Sequence, residues 1–257
     1  MINSQKISVK IGDKTLIESI SFDITQGDYL CIVGPNGSGK STLLKTLIGI
    51  MPIHSGTITI DSQTVSQFSH KQLAQRVSYV PQTGGSHLTF TVEEFVRMAR
   101  YSHHHVFSEW QTHDHDMVEN ALDITECRPF RHRKMSTLSG GECQRVMIAA
   151  ALAQDTPIML LDEPTAFLDP HHQVAVHQLI SKLNQQHHKT IIEVTHDINH
   201  AAHHARHVLA LLGGKGLWHG KAEDFLDAAR LKLLYQQDFL FVQHPQHNRL
   251  IALADES

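Results

Sequence analysis

The sequence predicts an α/β fold in which a mixed β-sheet core carries an antiparallel β-subdomain at its start and an inserted α-helical subdomain in its middle. Three observations predict it. Short alternating or β-branched runs crowd the first third (ISVKI, SISFDI, YLCIV, GTITID, VSYVP). From about 91 to 154 apolar residues recur at three- and four-residue spacing, and from about 155 onward apolar strands alternate with helices.

Gly12-Asp13 and Gly27-Asp28 punctuate the opening runs as turns. The middle block is helical because VEEFVRMARY, MVENAL and CQRVMIAAALA each place their apolar residues on one face. In the last block IMLLD, TIIEVT and HVLALL alternate with HQVAVHQLISKL and DINHAAHHA. That alternation is the pattern of βαβ crossovers feeding a parallel sheet. Residues 1–257 are therefore expected to form one domain, with a core of about 1–90 and 155–257 split by a helical insert of about 91–154.

A chain of 257 residues, 41% hydrophobic and 19% charged, is long enough to bury a sizeable core. No run reaches the roughly 18 to 20 apolar residues of a bilayer-spanning helix. The opening MINSQKISVKIGDKTL has no apolar signal-peptide segment, so a cytoplasmic location is expected. Cys31, Cys127 and Cys143 are scattered and read as reduced thiols. A formal charge of -4 gives no standing attraction for nucleic acid. The 22 histidines make that charge strongly pH-dependent just below neutrality.

The first chemical motif is Gly34-Pro35-Asn36-Gly37-Ser38-Gly39-Lys40-Ser41, a GxxxxGK[ST] loop between the apolar strand YLCIV and the helical stretch STLLKTLIGI. Glycines let the backbone wrap phosphate oxygens closely, and the helix that follows adds its positive end. Lys40 is placed to reach the β- and γ-phosphates, Ser41 to meet Mg²⁺ and Thr42 to support the α-phosphate side. The second motif is IMLLDEP, a strand ending in Asp162 and Glu163. The first acid suits magnesium, and the second suits orienting or deprotonating the attacking water. ATP and Mg²⁺ are the cofactors these motifs call for.

The run Leu138-Ser139-Gly140-Gly141-Glu142, between the phosphate loop and the acidic strand, resembles the signature of ABC ATPases, whose fold is a P-loop NTPase fold. The resemblance implies that Ser139, Gly140, Gly141 and Glu142 cover ATP held by a second copy of the chain in a head-to-tail dimer. Gln82 after VSYVP resembles the Q-loop, Ala166-Phe167-Leu168-Asp169 the D-loop, and His196 after IIEVT the switch histidine. By resemblance Gln82 joins Ser41 and Asp162 around magnesium, His196 contacts the γ-phosphate, Glu163 is the general base and Asp169 crosses the dimer interface. One position departs from the family pattern: Ile11 stands where an adenine-stacking aromatic is usual. The expected consequence is weaker nucleotide affinity and poorer ATP-over-GTP discrimination.

The stretch from Thr91 to His104 is similar to the TVxEVVxxGRxPH segment of ATPases serving importers of iron-siderophores, haem and vitamin B12, with Ala99 and Ser102 replacing its glycine and proline. That resemblance implies two transmembrane permease subunits, a periplasmic substrate-binding protein and a peripheral place on the cytoplasmic face of the bacterial inner membrane. A zinc or manganese importer ATPase is the nearest alternative. Outside transport the alternatives are a non-transport ABC ATPase, which would carry a coiled coil or a second cassette, and a histidine-rich metal-binding regulator. His196, His200, His203, His204 and His207 recur at helical spacing, and His103 to His105 lie near His113 and His115. Without a carboxylate or cysteine partner set, they read as a compositional habit of solvated faces.

Overall fold

The computed structural model describes residues 1–82, 88–104, 109–245 and 249–255. The chain divides into two compact units, one of Met1–Gln67 with Ile192–Ser257 and one of Phe68–Ile191.

The first unit opens with strands β1 (Ile2–Ile11) and β2 (Lys14–Ile24), an antiparallel hairpin. Gly12 makes its turn at φ 56°, a left-handed conformation that costs glycine little. The chain then runs through β3 (Tyr29–Val33) and helix α1 (Lys40–Leu47) before returning as β4 (Ser55–Ile60) and β5 (Gln63–Thr64). Strand order β2-β1-β4-β5 is antiparallel throughout, the β-subdomain expected from the opening runs. Ile2, Ile7, Val9, Ile17 and Ile20 fill its covered face. All five residues of β3 are buried, which is why YLCIV reads as a continuous apolar run rather than an alternating one.

The second unit contains α2 (His70–Ala74), β6 (Val77–Val80), α3 (Val92–Met98), α4 (Thr112–Ile124), α5 (Gly140–Ala153), β7 (Ile158–Asp162) and α6 (Pro170–Gln185). Strand β8 (Thr190–Val194) begins in this unit and ends in the first. β6 and β7 run parallel, from Val77 opposite Ile158 to Val80 opposite Leu161. The helices start where capping chemistry permits. Thr91 and Glu94 form a capping box on α3, Ser139 and Glu142 one on α5, and Asp169 caps α6 with Pro170 in its first turn. A buried Arg100 ties the helical block together. Its Nε lies 3.0 Å from Asp114 on α4, and its Nη1 donates at 2.9 Å to the Ala153 carbonyl at the end of α5.

Back in the first unit come α7 (Ile198–His204), β9 (His207–Leu212), β10 (Lys215–Lys221), α8 (Ala228–Tyr235), β11 (Phe239–Gln243) and β12 (Leu250–Ala254). β9 is parallel to β3 and antiparallel to β10, so the core sheet is mixed, as expected. β11 and β12 form a separate antiparallel pair. The Asn199 amide of α7 clasps the Ala252 backbone twice, accepting its N–H at 2.8 Å and donating to its carbonyl at 3.0 Å. Two elements carried no clear sequence signal. The α2 helix is only five residues long, and β10 is glycine-bearing and mostly exposed. Among the described residues no helix is long and apolar enough to cross a membrane.

The turn before β3 is held by Asp28. Its Oδ2 accepts from the Thr25 amide at 2.8 Å and hydroxyl at 2.6 Å, and its Oδ1 lies 2.7 Å from Arg206. Burial pushes this carboxyl up, but the Thr25 bonds and the Arg206 charge overcome that and hold it below its ordinary value. A depressed carboxylate contributes stability above its unfolded-state pKa and loses it as pH falls through the folded-state value. Because Arg206 is largely exposed, most of the effect comes from Thr25. Asp28→Asn should therefore lower stability at pH 7 by about 1–3 kcal/mol. In urea unfolding the gap between wild type and variant should narrow once the pH drops below the ordinary carboxylate range.

Candidate functional site

In the first unit the phosphate-loop motif spans the turn from β3 into α1. Gly34, Gly37 and Gly39 have φ of 147°, 77° and 99°, all in the region that disfavours side chains. A Cβ at Gly34 would also collide with the Leu211 carbonyl of β9, so glycine is required there twice over. The Asn36-Gly37 tip is exposed while Ser38 and Lys40 are buried. Lys40 bends over the loop, donating from Nζ to the Gly34 carbonyl at 2.8 Å and the Pro35 carbonyl at 3.1 Å. Gly39 caps α1 without any side-chain bond. An anion at this helix start meets the positive end of the helix and the Lys40 charge together. Ser41 and Thr42, half-buried, face the first turn of the same helix. His196 is exposed just after β8, between buried Thr195 and Asp197, whose carboxylate caps α7 by accepting from the His200 amide at 2.8 Å.

The second unit carries the acids and the glycine-led helix. All of β7 is buried, including Asp162 at its end. The Tyr79 hydroxyl of β6 donates to Asp162 Oδ2 at 3.1 Å, and burial followed by the Asp162 charge pushes that phenol's pKa well up, so it stays a donor. Glu163 leaves the strand with φ 49°, a strained conformation for a residue with a side chain. Its Oε2 accepts from Gln82 Nε2 at 2.6 Å, which joins the Q-loop position to the expected base. The neighbouring positions 83–87 lie outside the described residues.

At the start of α5 the Ser139 hydroxyl accepts from the Glu142 amide at 3.3 Å, and Glu142 Oε2 accepts from the Ser139 amide at 2.8 Å. The backbone bond to Ser139, helped by Arg133, holds the Glu142 carboxyl below its ordinary value. Asp169 likewise caps α6, with Oδ1 3.0 Å from the His172 amide and Oδ2 2.7 Å from His172 Nδ1. The His172 ring in turn packs on Gly141, where any Cβ would overlap it. Signature and D-loop positions are thus in direct contact through one imidazole.

Phosphate loop, paired acids and a second glycine-led helix start occur here in one chain. A family model described as ABC transporter matches residues 17–166. The chain belongs to the ABC transporter family. It is 35% identical over 252 residues to the iron(3+)-hydroxamate import ATP-binding protein of Bacillus subtilis (strain 168), covering 98% of this chain and 94% of that one. Among solved structures it is similar to a metal-chelate type ABC transporter in an inward-facing conformation, with TM-score 0.85, 28% identity, and 98% and 97% of the two chains covered. It is also similar to a dimeric ATP-binding cassette in a post-hydrolysis state bound to ADP and Pi, with TM-score 0.74, 28% identity, and coverage of 86% and 99%. As an ABC ATPase the chain binds and hydrolyses ATP.

Sequence reasoning did not single out Tyr79 or His172. Tyr79 carries no motif, and its role follows from the β6–β7 register, which places it opposite Leu160 on the strand that ends in Asp162. His172 was legible in principle, three residues after a capping aspartate, but its contact with Gly141 depends on how α5 and α6 meet. Gly141→Ala should destabilise the protein by about 1–3 kcal/mol, the scale of overpacking. Thermal unfolding of Gly141→Ala with His172→Ala should show that penalty largely relieved, because the ring that a Cβ would strike is then gone.

Proposed function

We propose that this chain works as one half of an ATP-sandwich dimer that powers a membrane importer of iron complexes, the class that includes ferric siderophores, haem and vitamin B12. What supports the cargo class is the full-length likeness to an iron(3+)-hydroxamate import protein and to a metal-chelate type transporter. The dimer is supported by the likeness to a dimeric cassette and by the build of α5, whose glycine-led start offers an anion site with no lysine of its own. Phe167, 86% exposed beside Asp169, adds an apolar contact for the second copy. The remaining partners of this reading are two permease subunits, which receive the helical insert, and a periplasmic binding protein that delivers the cargo. The chain would sit at the cytoplasmic face of the inner membrane.

In the reaction, the loop 34–42 holds the triphosphate and Lys40 turns from its own carbonyls to the β- and γ-phosphates. Ser41, Gln82 and Asp162 are an all-oxygen set suited to a hard divalent cation, and magnesium held there would neutralise phosphate charge. Glu163 accepts a proton from the attacking water, and its bond to Gln82 keeps the carboxylate oriented before nucleotide arrives. His196 contacts the γ-phosphate, while Ser139, Gly140 and Gly141 of the second copy close over the same nucleotide. Asp169 crosses the interface.

Glu163→Gln should slow ATP turnover about 10²- to 10⁴-fold with ATP binding largely kept. It should also accumulate a dimer with ATP on gel filtration. A variant that turns over normally, or stays monomeric with ATP, would remove Glu163 from this role. Ile11 is 57% exposed at the tip of β1. Ile11→Tyr should tighten nucleotide binding by the roughly 1–3 kcal/mol of an aromatic platform. ATP and GTP titrations of the unmodified chain should differ little; a strong adenine preference would refute the assignment.

A further inference from the structure

A second group of chemistry-bearing side chains lies in the core of the first unit, on the elements that lead into the phosphate loop and flank His196. Cys31 is in the middle of β3, Glu193 in β8 and His200 in α7, and one ligand atom from each lies within 4.8 Å of the others. Cys31 and Glu193 are 0% exposed and His200 is 5% exposed. Tyr29 brings a fourth donor: its hydroxyl lies 3.0 Å from His200 Nε2 and forms a short hydrogen bond to Glu193 Oε2.

A carboxylate at position 193 is costly. It interrupts the buried run Ile191, Ile192, Val194, where any apolar side chain would serve the fold. The groups that meet it are not random polar fillers. Thiol, imidazole and carboxylate are the three side chains that bind zinc, and they do so in closed four-coordinate sites when the role is structural. His200 Nε2 and Glu193 Oε2 are 3.2 Å apart. Two bonds of about 2.0–2.1 Å at a tetrahedral angle put their ligand atoms about 3.3 Å apart, so the pair already has the bite such an ion needs. The softness of the thiolate and imidazole excludes magnesium and calcium as the natural guests. The charges also close: one thiolate and one carboxylate balance a divalent cation, leaving a neutral centre in an apolar core. His204 stacks on His200 at 4.8 Å between ring centroids and limits how far that ring can turn.

We propose that Cys31, Glu193 and His200, with Tyr29 as fourth donor, form a structural site for a divalent transition metal of the zinc class. Spacing alone gives the histidines no matching cysteine and carboxylate set, and for His200 the fold supplies both. Binding exchanges the Cys31 S–H proton for a metal–sulfur bond and releases that proton to solvent. The ion joins β3, which ends one residue before Gly34, to the β8–α7 segment that carries His196. It thereby braces two elements of the nucleotide site without touching nucleotide.

The test uses the full chain refolded from urea with zinc chloride, then gel-filtered and analysed for metal by mass spectrometry. Wild type should retain one zinc per chain, and so should His132→Gln, whose ring is 80% exposed. Cys31→Ser and His200→Gln should lose the ion while remaining folded by circular dichroism. If either fails to fold, refolding a Cys127→Ser/Cys143→Ser double variant with cobalt chloride decides the matter: with Cys31 as its one thiol, a thiolate-to-cobalt charge-transfer band supports a Cys31-ligated site. Wild type without metal, a cobalt complex without that band, or folded Cys31→Ser and His200→Gln proteins that keep the full metal content would each overturn the proposal.

Discussion

The turn from β3 into α1 is the constraint on which the rest of the nucleotide chemistry depends. β3 must be wholly buried to hold its end still, and its last residue must be followed by a backbone that leaves no room for a side chain against the Leu211 carbonyl. Once that path is fixed, α1 starts with a glycine rather than a capping hydroxyl. The helix start is then left for an anion, and Lys40 is close enough to serve both its own loop carbonyls and an incoming phosphate. A side chain at position 34 would be driven into that carbonyl, so the turn keeps both its path and its use only with glycine there.

The second unit solves a different problem, keeping reactive groups oriented before their substrate is present. Glu163 adopts a strained left-handed backbone and is tied to Gln82, and Asp162 receives a hydroxyl from Tyr79. The strain is tolerable because β7 beneath it is buried along its whole length. In the same unit the Asp169 carboxylate, His172 and Gly141 form a single packed group. A shift of α6 is therefore felt at the start of α5, which gives the Gly141 and Asp169 positions a common mechanical state.

How legible this was depended on whether a feature is local. The phosphate loop is a statement about successive backbone angles, and glycines at 34, 37 and 39 write those angles directly into the sequence. Helix starts at Thr91, Ser139 and Asp169 were legible for the same reason, since each cap acts within three residues. The strands declared themselves as apolar runs, whereas β10, with two glycines and partial cover, did not. Features that join distant positions were invisible. Tyr29 and Glu193 are 164 residues apart, and Tyr79 and Asp162 83 apart, so no spacing could announce them. The histidine clusters show both sides of this limit. His203 Nε2 donates to the Leu250 carbonyl at the surface, His200 is in the core, and His105 lies outside the described residues. One compositional habit thus covers residues with quite different surroundings.

The clasp between Asn199 and Ala252 ties the last hairpin to the segment that follows His196. α7 is only seven residues long and follows directly on from His196, too short a helix to hold its own position. Its bearing comes from outside: the β12 backbone grips Asn199, and Leu250 meets His203 one turn further on. The closing hairpin works as a splint for the segment that carries His196, so loosening that hairpin would free the segment while leaving every motif residue in place.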